Sequence, residues 1–168
     1  TWTLQDNLTF PTTVTTTLTL GTLALGSFTL STGLFSSSNS NARTINFGTG
    51  KIVLTSATTS TIFTTGTTTG LTVSGTPLVE CVTTGTGVTK TINTGAPSEA
   101  NSISFSLLNT VTGTTYAFSA SNVVRNLIIS FIFVDLFKVD RKRYVQAGSV
   151  IAIILALNMV VDRIASFL

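Results

Sequence analysis

The stretch Arg43–Thr55, "RTINFGTGKIVLT", is the key to how this chain folds. Ile45 and Phe47 flank Asn46, and Ile52 and Leu54 close a second short run, both similar to the alternating stretch Leu18–Leu30. A period of two is the signature of a strand. Gly48 and Gly50 stand between the two runs, where glycine permits a sharp change of direction. The stretch therefore reads as two short strands joined at a corner. Its opening recurs as "KTINTG" from Lys90. A basic residue, Thr-Ile-Asn and a glycine in a weakly charged chain would suit a binding loop, a catalytic loop or a structural repeat.

The surrounding sequence favours the repeat. Threonine supplies 35 of 168 residues, and charged residues are 9%, against roughly 25% in ordinary globular proteins. Apolar residues make up 43% and are interspersed among the threonines. Threonine is β-branched and fits a pleated surface, so this composition predicts persistent β-structure rather than a disordered linker. Short alternating runs recur within Leu18–Leu30 and at Ile45–Phe47, Ile52–Leu54, Ile62–Phe63, Leu71–Val73, Leu78–Val82 and Ile103–Leu107. No helical period persists before residue 120.

"STGLFSSSN" from Ser31 also resembles "TTGLTVSGT" from Thr68, so the two repeats have offsets of 37 and 47 residues. Repeats of unequal length suit a solenoid whose loops absorb the difference. The expected fold is all-β, a short-stranded parallel β-helix or β-solenoid, with a β-sandwich as the alternative and an apolar α-helix at the C-terminus. Coils of roughly 20–25 residues would give about five layers at the strand spacing of about 4.8 Å. Phe28, Phe35, Phe47, Phe63 and Phe105 are the expected core stack. Arg43 and Lys90 are expected to cap sheet edges and discourage strand addition.

Three segments are expected: a Thr/Ser/Gly-rich repeat domain over 1–121, a transition with a basic collar over 122–144, and an apolar helix over 145–168. Residues 1–120 balance Asp6, Glu80 and Glu99 against Arg43, Lys51 and Lys90, and the whole net charge of +3 lies beyond them. A neutral body lacks the field that attracts phosphate backbones, so no nucleic-acid partner is expected. In the transition, "VRNLIISFIFVDLF" reads as a last strand or the start of a helix. Arg141, Lys142 and Arg143 form the collar. Beyond it, Val150, Ile153, Leu157, Val160, Ile164 and Phe167 are spaced by 3 or 4 residues, as in an oligomerising heptad seam. The uncharged run Val145–Val161 also suits a short membrane helix.

Candidate chemistry is sparse. The chain has no histidine and a single cysteine, so no metal site is expected, and no cofactor motif is recognised. Cys81, inside "LVECV", reads as a buried thiol, and "TTGTGV" over Thr83–Val88 reads as turns. Glu80 and Glu99 flank Lys90 and are the one pairing that could resemble a polysaccharide-cleaving carboxylate pair.

The phrases "TWTLQDNLTF", "GTLALGSFTLSTGLFSSSNSNARTINFGTGKIVLT", "GTPLVECV" and "KTINTGAPSEANSISF" resemble the repeats of Thr/Ser-rich structural proteins of marine bacteriophages, tail-fibre, virion-appendage or adhesin-like. The resemblance covers residues 1–129. It implies a non-enzymatic structural or adhesive role at a virion or an extracellular surface. The partners it suggests are copies of itself, other virion or surface proteins, and glycans. A membrane contact through residues 145–168 and a polysaccharide-active enzyme are the competing readings.

Overall fold

The computed structural model describes residues 1–83, 85–109, 113–119 and 122–131. The expected tail helix, its residues Val150 to Phe167 and the collar Arg141–Arg143 lie outside the described residues. Among the described residues, no helix is long and apolar enough to cross a membrane.

The described chain winds as a three-sided coil. The first coil holds β1 (Trp2–Thr3), β2 (Leu8–Thr9) and β3 (Thr15–Thr17). The second holds β4 (Gly21–Ala24), β5 (Thr29–Thr32) and β6 (Leu34–Ser36). The third holds β7 (Arg43–Asn46), β8 (Lys51–Leu54) and β9 (Ser60–Thr64). The fourth holds β10 (Leu71–Ser74), β11 (Leu78–Thr83) and β12 (Thr89–Asn93). A 3-10 turn (Glu99–Asn101), β13 (Ile103–Asn109) and β14 (Thr115–Phe118) follow, then β15 (Val124–Phe131).

Like sides stack into three parallel sheets: sheet A in the order β1-β4-β7-β10, sheet B as β2-β5-β8-β11-β13-β15, and sheet C as β3-β6-β9-β12-β14. This is an all-β solenoid, and the uniformly parallel pairing excludes the sandwich alternative, whose sheets would be antiparallel. The ambiguous segment after Asn122 supplies the last strand of sheet B, so the β-unit runs to Phe131.

Register explains the core. In sheet B, Leu8, Leu30, Ile52, Val79, Phe105 and Leu127 lie over one another. Their separations, read from those numbers, are 22, 22, 27, 26 and 22 residues. The corner loops absorb the unequal lengths, while strand alternation keeps one side chain in two pointed inward. Sheet C adds Phe35, Phe63 and Ile92, and sheet A adds Leu23, Ile45 and Val73. Phe35 stacks on Phe63 at 5.6 Å between ring centroids, and Phe63 meets Phe105 edge-on at 5.3 Å. Of the five expected core phenylalanines, Phe35, Phe47, Phe63 and Phe105 are fully buried, and Phe28 is half-buried.

Each corner depends on close backbone approach. At the corner from sheet A to sheet B, Gly26, Gly48 and Gly75 lie over one another with φ of 65°, 56° and 83°. A Cβ on Gly48 would sit 2.2 Å from the Gly26 carbonyl oxygen. That same oxygen accepts hydrogen bonds from Thr49 N at 2.8 Å and Gly50 N at 3.0 Å. Successive coils are thus tied together at a point where no side chain fits.

Sheet A ends one layer early. Where its fifth strand would lie, the 3-10 turn presents Asn101, whose Oδ1 accepts from Val73 N at 2.9 Å and whose Nδ2 donates to Leu71 O at 3.2 Å. One side-chain amide thereby satisfies the edge of β10 as a further strand would.

Candidate functional site

The two copies of the basic-Thr-Ile-Asn motif share their local structure but lie on different sides of the coil. Arg43–Asn46 is β7 of sheet A, and Lys90–Asn93 lies in β12 of sheet C. In both, the Asn side chain accepts a hydrogen bond from the glycine two residues on: Gly48 N to Asn46 Oδ1 and Gly95 N to Asn93 Oδ1, each 3.0 Å. Asn is suited to this two-residue reach, and glycine to the positive φ that follows. Thr44 and Thr91 face out, whereas Ile45 and Ile92 are fully buried. The recurrence therefore marks a strand-plus-corner cassette, and its offset of 47 residues is not a whole number of coils.

The leading cations of this cassette point inward. Parity places Arg43 on the same side of its strand as Ile45, and Lys90 on that of Ile92. Their relative exposures are 2% and 1%, so the expectation that they cap sheet edges from outside is incorrect. Arg43 Nε donates to Ser37 O and Oγ at 3.0 and 2.8 Å, Nη1 to Asn41 O and Thr69 O at 3.1 and 2.8 Å, and Nη2 to Ser37 O at 2.7 Å and to Thr67 O. The planar fork thus fastens two successive loops at the corner from sheet C to sheet A. Burial pulls the Arg43 pKa below the usual arginine value, and the ring of carbonyl oxygens compensates its charge.

Lys90 has a different environment. Its ammonium donates to Thr58 O, in the loop between β8 and β9. With Leu54, Ser56, Ile62, Cys81 and Tyr116 it lines a gap too small to hold a water molecule. Burial lowers the Lys90 pKa. Burial, with Glu80 second, pushes the Cys81 thiol up to about 12. Burial and then Cys81 raise the Tyr116 phenol, whose Oη donates to Cys81 O at 3.2 Å and to Leu108 O at 3.3 Å. Each of these shifts favours a neutral group, as expected where solvent is excluded. The gap lies between side chains of three successive coils and has no room for a substrate.

The carboxylates are separated by the fold. Glu80 is on β11, where Lys51 Nζ meets its Oε2 at 3.0 Å. Glu99 lies in the 3-10 turn and lines an open groove with Arg125. Lys90 is inside the solenoid, so the sequence trio of Glu80, Lys90 and Glu99 does not assemble into one site. Among the described residues, no group of three potential metal ligands occurs.

The extended feature on the outside is the face of sheet A. Thr22, Thr44 and Thr72 form one outward column, and Thr3, Ala24, Asn46 and Ser74 another. Among the described residues, the hydroxyls of Thr22, Thr44 and Thr72 have no hydrogen-bond partner. β-Branching restricts their χ1 angles, so the column is a stiff, uncharged hydroxyl ladder repeating at the strand spacing of about 4.8 Å. No signal short of the sheet register reveals this column, because its members lie 22 and 28 residues apart. No known family model, curated protein or solved structure matches this chain.

Proposed function

We propose that this chain is a non-enzymatic structural and adhesive element of a surface fibre or virion appendage, which assembles with copies of itself and contacts glycans. The observation that supports the reading best is the in-register, uncharged hydroxyl ladder on sheet A. It is carried by a solenoid whose successive layers are tied by parallel strand pairing and by clamped corners. A rigid ladder of neutral donors and acceptors suits many weak contacts with a neutral polymer, because little side-chain entropy is lost on contact. A low net charge in the body leaves such contacts insensitive to salt.

The test is retention of the full chain on a panel of insoluble polysaccharides and bacterial cell envelopes. Retention is expected on at least one surface and should fall at least about tenfold in Thr44→Lys and Thr72→Lys, which place ammonium groups on the ladder without touching the core. Absence of retention on every surface would overturn the adhesive reading, and release of new chain ends from a bound polysaccharide would overturn the non-enzymatic one.

A further inference from the structure

The two cations of the repeated cassette are buried on unequal terms. Oxygens of Ser37, Asn41, Thr67 and Thr69 surround the Arg43 guanidinium. An ammonium has three donors, yet among the described residues Lys90 Nζ meets only Thr58 O. The gap beside it is too small for a water to serve as a second acceptor. Leaving a buried ammonium short of acceptors is costly, whereas a neutral amine keeps the one bond present. Among the described residues, no anion offsets that cost. Cys81 from β11 and Tyr116 from β14 face the same gap, and burial favours the neutral form of each. β8 and β9 contribute Leu54 and Ile62, and Glu80 of β11 faces outward against Lys51.

An exposed loop closes one side of this enclosure. Thr55 N and Ser56 N are anchored on the preceding coil through Thr32 O and Gly33 O. Residues 57–59, between Ser56 and the start of β9, have no such anchor among the described residues. Thr58 N donates to Ser56 Oγ at 3.4 Å and Thr58 O accepts from Ser60 Oγ at 3.1 Å, both within the loop's own turn. Two hydrogen bonds tie it to the next coil: Thr89 N donates to Thr59 Oγ1 at 3.2 Å, and Lys90 Nζ donates to Thr58 O. Thr58 and Thr59 are exposed. The register of β9 on β12 also shifts between Thr91 and Ile92, which disrupts the ladder beside Lys90.

We propose that residues 57–59 form a strap that closes over the neutral amine of Lys90 and lifts when Lys90 takes a proton. Lifting the strap brings water to the ammonium and supplies the missing acceptors. Proton linkage sets the direction. With the strap closed, burial lowers the Lys90 pKa below the ordinary 10.5. With it open, the amine regains the proton affinity of a solvated lysine. The open form therefore holds more protons, so acid favours opening. Closure is strongest above pH 10.5, weakens as the pH falls towards the folded pKa, and changes no further below it. Arg43 provides the contrast, because its complete ring of oxygens lets it stay charged and closed throughout this range.

Carbon NMR of the full chain labelled at lysine Cε, with amide exchange over the same pH series, tests this. The Lys90 resonance should titrate at a lower pH in the folded protein than in urea. Protection of the Thr89 amide, corrected for the intrinsic pH dependence of exchange, should fall at least about tenfold as Lys90 is protonated, a change worth about 1.4 kcal/mol. Lys90→Met, which cannot take a proton, should keep that amide's protection constant across the series. Equal Lys90 midpoints in the folded and unfolded chains overturn the inference. So does protection at Thr89 that ignores the Lys90 titration, or the same loss in Lys90→Met. If Lys90→Met does not fold, titration and exchange in the parent still decide the matter. The strap joins sheets B and C rather than lying on sheet A, so polysaccharide retention stands or falls by its own assay.

Discussion

Gly48→Ala separates the forces that hold successive coils together. Gly48 has φ of 56°, and a Cβ there would lie 2.2 Å from Gly26 O. The left-handed backbone costs an alanine about 1–2 kcal/mol. The contact cannot be relieved by a rotamer change, because its partner is backbone. The coils must part at this corner, which loosens the two hydrogen bonds to Gly26 O from Thr49 N and Gly50 N. At about 0.5–1.5 kcal/mol for each bond, the total loss is about 2–5 kcal/mol. Two companion variants divide that total. Gly87 has φ of 65° with nothing within 4 Å of its added Cβ, so Gly87→Ala registers backbone strain alone, about 1–2 kcal/mol. Gly33 has no positive φ, yet its Cβ would lie 2.0 Å from Thr12 O, so Gly33→Ala registers the interlayer contact alone. Urea unfolding followed by circular dichroism measures all three. The expected order is Gly48→Ala most destabilised and Gly87→Ala least. If Gly48→Ala and Gly87→Ala agree within about 0.5 kcal/mol, close coil approach at this corner is not a source of stability and the reasoning is refuted.

Four further outcomes are expected. Phe63→Ala, which opens a cavity between Phe35 and Phe105, should cost about 3–5 kcal/mol in the same assay; a loss below about 1 kcal/mol would mean the column can collapse. Arg43→Lys should be destabilised nearly as much as Arg43→Met, because one ammonium cannot reach oxygens of Ser37, Asn41, Thr67 and Thr69 together; full stability in the lysine variant would show that charge alone suffices. Asn101→Ala leaves Val73 N–H without its acceptor, so hydrogen exchange at Val73 should accelerate and stability fall by about 1–3 kcal/mol; an unchanged exchange rate there would contradict the edge-capping role. Cys81 supplies the pH dependence: its folded pKa of about 12 lies above the ordinary 9.0, so the unfolded chain ionises first and stability is lost as pH rises between those values. Relative to Cys81→Val, the parent should lose about 1.4 kcal/mol between neutral pH and pH 10, and a flat difference would show that the thiol ionises equally well in the folded protein.

Strands with a regular in–out alternation are legible in the amino-acid sequence. Ile45–Phe47, Ile52–Leu54 and Leu71–Val73 all lie within or at the ends of β7, β8 and β10. β12 and β14 are not among the runs legible by alternation, because Ile92 is the one aliphatic residue of "TKTIN" and "TYAF" is too short to establish a period of two. The inert Cys81 is readable from its apolar flanks. Asn101 is not, because an asparagine beside Ser102 resembles any turn residue until β10 is seen to end beside it. The cassette at Arg43 and Lys90 is recognisable as a repeat, yet its pattern suggests solvated cations, since a charged residue at a strand start is ordinarily exposed. The fold buries both.

Local chemistry in this chain specifies short strands, glycine corners and a neutral body, because alternation, φ freedom and charge are properties of a few neighbouring residues. Coil assembly specifies which side of the solenoid each cassette occupies, what surrounds Arg43 and Lys90, and which threonines align on sheet A. Those outcomes depend on the summed lengths of loops across 22 to 28 residues and on the packing they permit. A buried guanidinium is stable here only because loops from two successive coils bring carbonyl oxygens to it, and neither loop is near enough in sequence to announce the other.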